Sequence, residues 1–170
     1  MRRRDEWLLQ RGLPPIIHDE TLSFVHPALV KAFAYWNSSR RERAMPGRAD
    51  ITPQGMRSFL PHVALVEVNP RPGNGPDYFV RLAGTAIEEV FGKRTGRPLT
   101  EDVPPELAAR WRAQFDAAVN SQKPLRATGR IAYENKTWLE AEILCAPLSE
   151  DGTNVSMVLL AFAATVRKPG

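Results

Sequence analysis

The chain has 170 residues, of which 43% are hydrophobic and 25% are charged, so it has the size of one globular domain and is cramped for two. It contains no apolar run of about 18 residues and no signal-peptide segment after the charged start Met1–Glu6, which excludes a membrane-spanning helix and favours a cytoplasmic protein. The net charge of +4 is spread along the chain, which disfavours nucleic-acid binding, and a single cysteine excludes an internal disulfide.

The amino-terminal segment differs from the rest of the chain in its hydrophobic pattern. Residues 1–26 lack sustained periodicity, so we predict an N-terminal arm there and one domain over residues 27–170. A helix is expected to begin at Pro27, because proline is favoured in the first helical turn, and to end near Arg41. Its apolar stripe comprises Leu29, Val30, Phe33 and Trp36.

A short helix and two strands are predicted next. Thr52-Pro53 is typical of a helix start, and this helix is expected to stop at Leu60-Pro61. Strands follow over residues 62–68 and 78–83. The segment between them is rich in proline and glycine, which predicts a hairpin with a long connection.

Two helices should connect this hairpin to the rest of the sheet. Thr85 and Glu88 have capping-box spacing, so a short helix is expected to begin at Thr85 and to stop at Gly92. The longest helix begins at Pro104-Pro105. Its apolar face repeats at Leu107, Trp111, Phe115 and either Ala118 or Val119.

Three strands complete the predicted domain, at about residues 124–134, 137–148 and 154–166. Asn135-Lys136 and Asp151-Gly152 lie between them and indicate hairpin turns. Two strands, a helical crossover and a three-stranded meander predict an α+β fold. Its sheet is expected to be five-stranded and antiparallel, with the crossover helices on one face and a helix at the N-terminal end.

Several short strings in this order carry a family resemblance. They are Tyr35-Trp36 with Arg40, Met45-Pro46-Gly47-Arg48-Ala49-Asp50-Ile51-Thr52-Pro53, Leu60-Pro61-His62-Val63, Val80-Arg81-Leu82-Ala83-Gly84-Thr85, Phe91-Gly92, Thr95-Gly96 and Leu99. Together they resemble the PAS domain superfamily, in particular a bacterial subfamily of short stand-alone proteins common in alphaproteobacteria. The likeness covers about residues 28–165.

The resemblance implies a sensory or interaction module in which the sheet and crossover helices enclose a small cavity. Arg81 could anchor an anion there or pair with Glu67 on the neighbouring strand. The apolar candidates form an aromatic and aliphatic set, and an aromatic stripe at helical spacing is more often plain core. The cavity candidates are Val80, Arg81, Leu82, Phe91, Trp111, Phe115, Ile143 and Cys145.

The resemblance also suggests cofactors, but this sequence lacks their residues. Haem-binding relatives supply a histidine from the crossover, and relatives with photoactive flavin or a covalent chromophore supply a cysteine there. Residues 85–122 contain neither residue type, so haem and a covalent chromophore are not expected, while a loosely held flavin stays open and the cofactor is unknown. His18, His26 and His62 lack metal-ligand spacing, and no metal site is predicted.

No enzyme class is supported. Cys145 lies on the alternating apolar face of its strand, which favours a buried, inert thiol. Two hypotheses for the function remain. The chain is either a ligand-responsive sensor or a pure interaction module that forms a homodimer through Leu29, Phe33 and Trp36. Only four residues follow Val166, so any output is expected to pass through a separate signalling protein or through dimerisation.

Overall fold

A computed structural model describes residues 16–136 and 138–166 of the chain. The described residues form one antiparallel sheet of seven strands, in the order β1-β5-β6-β7-β2-β3-β4, with three α-helices. The strands are β1 (Ile16–Asp19), β2 (Val63–Arg71), β3 (Asn74–Ala83), β4 (Arg97–Pro98), β5 (Leu125–Arg130), β6 (Leu139–Leu148) and β7 (Met157–Val166). The helices are α1 (Pro27–Ser39), α2 (Thr85–Phe91) and α3 (Pro105–Ser121).

The α+β class and the antiparallel sheet are as predicted, but the sheet is wider than five strands. Two short strands extend its edges: β1 pairs with β5, and β4 pairs with β3. Strand β1 lies in the segment expected to be an arm, of which residues 1–15 are outside the described residues. With His18 and Asp19 among its four residues, β1 lacks the apolar alternation by which a strand is recognised.

Several predicted helix and strand boundaries differ from those in the structure. Residues 53–59 form turns followed by a 3-10 helix at Leu60–His62, so the predicted short α-helix is wrong. Strands β2 and β3 continue almost to their turn, so the expected long connection is the tight turn Pro72-Gly73. Strand β5 stops at Arg130 and a 3-10 helix follows at Tyr133–Asn135, so no two-residue hairpin forms before β6.

The predicted capping box at the start of α2 is also wrong. Gly84, not Thr85, is the residue that caps this helix, and it does so without a side-chain hydrogen bond. The Glu88 carboxylate turns to the other end of the helix, where Oε2 accepts from the backbone N–H of Arg94 at 2.8 Å. Gly92 ends α2 with a φ of +75°, a conformation that disfavours residues with a Cβ, and the predicted stop is therefore confirmed.

The helices cover both faces of the sheet. Helices α2 and α3 pack on the face that carries Ile143 and Cys145, which we call the inner face. Glu142 points to the opposite, outer face because side chains alternate along a strand. Its carboxylate accepts from the backbone N–H groups of Val25 and His26, which places the start of α1 on the outer face.

Candidate ligand cavity

A cavity of about 100 Å³ lies between the inner face of the sheet and helices α2 and α3. The exposed surface of its wall is almost entirely apolar. Strands β2, β3, β6 and β7 form the floor, and α2, α3 and the segment between them form the roof. The lining residues are Ala64, Val66, Val80, Ala83, Ile87, Phe91, Arg94, Leu99, Trp111, Gln114, Phe115, Ile143, Cys145, Leu160 and Phe162.

Aromatic rings close one end of the cavity. The Phe91 ring lies 5.2 Å from that of Trp111 and 5.1 Å from that of Phe162, both in edge-to-face geometry. Tyr133 packs on both Phe91 and Trp111, at 5.5 and 5.8 Å between ring centroids. These contacts join α2, α3 and β7, so displacement of one ring changes the packing between all three elements.

A second contact holds α3 to the sheet beside the cavity. The Tyr78 hydroxyl of β3 donates to the Asp116 carboxylate of α3, and the Tyr78 ring lies 5.2 Å from the ring of Phe115. Burial, with the hydrogen bond to Asp116 as a second cause, raises the pKa of Tyr78. The hydroxyl therefore keeps its proton and remains a donor in this bond.

Six of the eight cavity candidates from the sequence line this cavity: Val80, Phe91, Trp111, Phe115, Ile143 and Cys145. The expectation is wrong for Arg81 and Leu82. Leu65 pairs with Leu82 while the next residue, Val66, pairs with Val80, so Arg81 is the extra residue of a β-bulge. The bulge reverses the alternation, and Ala83 takes the inward position expected for Leu82, whose side chain is 38% exposed.

Arg81 follows the alternative interpretation of the sequence. Its Nε lies 3.0 Å from Glu67 Oε1 on β2, and its side chain is two-thirds exposed. The residue is thus a surface ion pair across neighbouring strands and has no part in the cavity wall.

Cys145 supplies a thiol at the floor of the cavity. It is buried, and desolvation raises its pKa to about 12. At pH 8 only about one thiol in 10⁴ would then be ionised, and the thiolate is the nucleophile. The thiol is therefore a poor nucleophile while the chain is folded.

We expect iodoacetamide at pH 8 to alkylate Cys145 at least about 10³-fold more slowly in the folded chain than in denaturant. Mass spectrometry of timed samples gives both rates. Because the folded pKa is raised, the folded-state rate should continue to rise with pH well above 9. Equal rates in the two states at pH 8 would show that this thiol is neither buried nor shifted in pKa.

Arg94 lines the cavity and was missed by sequence reasoning. Its side chain is buried, with 6% exposure, in the segment between α2 and β4. Its guanidinium donates to the backbone oxygens of Phe91 and Glu101 and to the Tyr133 hydroxyl. A basic residue two positions after a helix-ending glycine looks like a solvated loop residue, and no sequence signal distinguished it.

Arg94 also lines a wider and more polar cleft of about 590 Å³ outside the cavity. This outer cleft shares Phe91 with the cavity and is otherwise formed by residues before α3 and by the Tyr133 segment. Its charged residues are Lys93, Arg94, Arg97, Asp102 and Glu134. The guanidinium therefore stands where the apolar cavity and the polar cleft adjoin.

The residues proposed as an interface face their own chain. Leu29 and Trp36 are 0% and 2% exposed and belong to the core, so the expectation that they contact a second subunit is wrong. Phe33 is half-buried and packs between Phe24 and Trp36, at 5.5 and 6.5 Å between ring centroids. Leu29 and Trp36 of the apolar stripe are thus buried within their own chain, whereas Val30 is 47% exposed.

The histidines lie away from the cavity. The rings of His26 and His62 are 5.1 Å apart beside α1, where burial, and secondarily His62, lowers the pKa of His26. His26 Nδ1 accepts from the backbone N–H of Ala28 and thereby caps α1. Among the described residues, no histidine lines the cavity, and no cluster of histidine, cysteine and acidic side chains is arranged to hold a metal ion.

Comparison with known proteins gives one family match. A family model described as a PAS domain matches residues 24–161, which include α1, both helices over the cavity and all of the cavity lining except Phe162. No curated protein and no solved structure matches the chain. Within the described part of the chain, no helix is long and apolar enough to cross a membrane.

Proposed function

Since the chain belongs to the PAS domain family, we propose that it is a sensory or regulatory module whose signal is a small ligand bound in the inner-face cavity. The observation that carries this proposal is the cavity itself, a space of about 100 Å³ with apolar walls between the sheet and the crossover helices. An apolar space of this kind stays dry when empty and gains stability when an apolar group fills it.

Ligand binding would be communicated through the helices that form the roof. Phe91 and Phe115 contribute rings to the cavity from α2 and α3, and each ring also contacts a neighbouring element. A ligand that favours one packing of these rings would shift the population of helix positions relative to the sheet. A separate signalling protein would then read the shifted surface.

We propose no catalytic activity. The thiol at the cavity floor has a raised pKa, and the cavity wall formed by described residues has no histidine or carboxylate to act as a base beside it. The apolar lining supports binding and provides no group to activate a substrate.

The cavity can be tested with hexan-1-ol, an uncharged six-carbon probe. At about ten times its dissociation constant, we expect it to raise the melting temperature by about 3–5 °C. The variant Ala64→Leu, which places extra methyl groups in the cavity from β2, should lose this increase. Differential scanning calorimetry with and without the probe measures both effects.

A matched variant separates cavity binding from the general effect of an alcohol on stability. Ala34→Leu adds the same atoms on the exposed side of α1 and should keep the full increase in melting temperature. If wild type and Ala64→Leu respond alike, the probe does not bind in the cavity, and the proposed ligand-sensing function is lost.

An interaction module is the second candidate, and exposed apolar residues favour it. Ile17 and Val25 are 64% and 78% exposed and line a cleft on the outer face beside β1, which is the edge strand of the described part of the sheet. A second copy of the chain or another protein would bind to this cleft, and the contact would not involve Leu29 or Trp36. This candidate gains if wild type binds no probe in the experiment above.

A further inference from the structure

Arg94 is a buried cation without a counter-charge. Its side chain is 94% buried, and burial of a charge is costly unless the charge is paired. Among the described residues it forms no ion pair with a carboxylate, and its three acceptors are two backbone oxygens and a hydroxyl. The guanidinium therefore lies next to an apolar cavity without a carboxylate in direct contact with it.

The guanidinium also has spare donors. An arginine side chain has five N–H groups, and three of them donate, to Phe91 O at 3.1 Å, Glu101 O at 2.7 Å and Tyr133 Oη at 3.2 Å. The remaining two N–H groups, on Nη1 and Nη2, have no acceptor among the described residues. Two donors on a planar group are suited to a carboxylate, which accepts two parallel hydrogen bonds.

The guanidinium is held rigidly in place. Its Cζ lies 5.4 Å from the centroid of the Trp111 ring and 5.6 Å from that of Tyr133, so both aromatic faces contact it. The backbone N–H of Arg94 is bound by Glu88 Oε2 at the end of α2. A ligand would therefore meet a donor already oriented, with little conformational entropy to lose.

The location defines the shape of the ligand. Arg94 lines both the apolar cavity and the outer cleft, so a molecule in contact with it can place an apolar part in the cavity and an anionic end beside the guanidinium. Lys93 and Arg97 of the cleft add positive charge on the solvent side, offset by Asp102 and Glu134. The cavity has room for a short chain or a single ring.

We propose that Arg94 anchors the carboxylate of a ligand whose apolar part fills the inner-face cavity. The inference rests on the proposed ligand-binding function and adds the chemical class of the ligand, a small aliphatic or aromatic carboxylic acid. It also assigns a role to a buried charge that the apolar cavity alone does not explain.

The test compares hexanoate with hexan-1-ol, which share a six-carbon skeleton and differ in charge. Titrations of the full chain at pH 7 and fixed salt, followed by amide NMR shifts, give a dissociation constant for each probe. We expect hexanoate to bind wild type at least about tenfold more tightly than the alcohol, because charge-assisted hydrogen bonds are the stronger ones. Arg94→Gln should lose this preference, so that its own dissociation constants for the two probes become nearly equal.

Arg97→Gln is the matched control. Arg97 lines the same outer cleft, but its side chain is 47% exposed and its Nε already lies 3.7 Å from Glu101 Oε2. This variant should keep most of the preference for hexanoate over hexan-1-ol. If Arg94→Gln does not fold, the Nε–H resonance of Arg94 in wild type decides, since hexanoate should shift it and hexan-1-ol should not.

The outcomes separate this inference from the function on which it rests. Equal affinity of wild type for the two probes, or an unchanged preference in Arg94→Gln, overturns the role of Arg94 and leaves a ligand-binding cavity. Failure of both probes to bind overturns the cavity function together with the inference.

Discussion

Trp36→Ala is expected to lower the free energy of unfolding by about 3–5 kcal/mol, the range for removal of a large aromatic side chain from a packed core. Trp36 is 2% exposed, and its indole Nε1 donates to the backbone oxygen of Pro147 at 2.9 Å. The substitution removes both this hydrogen bond and the packing of α1 on β6. Urea denaturation monitored by far-ultraviolet circular dichroism measures the loss.

The chain provides a matched tryptophan for comparison. Trp138 is 57% exposed before β6, and Trp138→Ala should change the free energy of unfolding by no more than about 0.5 kcal/mol. If Trp36 were instead a contact between subunits, its substitution would change the oligomeric state and leave the unfolding of the monomer nearly intact. Light scattering on the same samples distinguishes the two cases.

The apolar stripe of α1 predicts the helix but not the surface on which the helix packs. The spacing of Leu29, Phe33 and Trp36 correctly predicted an amphipathic helix from Pro27, because residues three and four apart share one face. It could not identify what covers that face. Burial against the chain's own sheet and burial against a second subunit require the same apolar stripe.

The sheet was predictable where strands alternate regularly and not where they deviate. The buried alternation that placed Ile143 and Cys145 on one face holds along β6. The predicted hairpin between β6 and β7 also forms, but Asp151-Gly152 lies within a loop of residues 149–156, where Asp151 accepts from the N–H groups of Thr153 and Asn154. The bulge at Arg81 leaves no mark in the sequence. A one-residue shift reverses every later side chain in the strand, and Leu82 was therefore assigned to the wrong face.

The polar part of the cavity was the least predictable. Apolar lining residues follow from periodicity, because the inner face and the roof helices each repeat at a known spacing. Arg94 lies outside any repeat, and its burial depends on the end of α2, the Tyr133 segment and the start of α3 meeting around it. Such a site arises from long-range packing, which local sequence does not encode.

Gly84 connects the sheet to the roof of the cavity, and Gly84→Ala is expected to lower the free energy of unfolding by about 3 kcal/mol. A Cβ at this position would lie 2.6 Å from Leu60 O and closer still to the carbonyl group of Pro61. These are backbone atoms, so no side chain can rotate away to make room. The backbone of Gly84 is itself unstrained, with φ of −72° and ψ of 164°, which makes the cost one of close contact alone.

The same substitution should weaken binding in the cavity. The Gly84 N–H donates to Val63 O at 2.8 Å, and its carbonyl accepts from the N–H groups of Ile87 and Glu88 in the first turn of α2. A displaced Gly84 would carry Ile87 and the rest of α2 away from the sheet, and we expect Gly84→Ala to lose most of its affinity for hexan-1-ol.

Gly75→Ala is the control, because a Cβ there meets no atom within 4 Å. It should change the free energy of unfolding by less than about 0.5 kcal/mol and leave the binding of hexan-1-ol intact. If calorimetry finds both variants as stable as wild type, the close approach of Gly84 to Pro61 does not exist in solution, and the position derived for the roof helix is wrong.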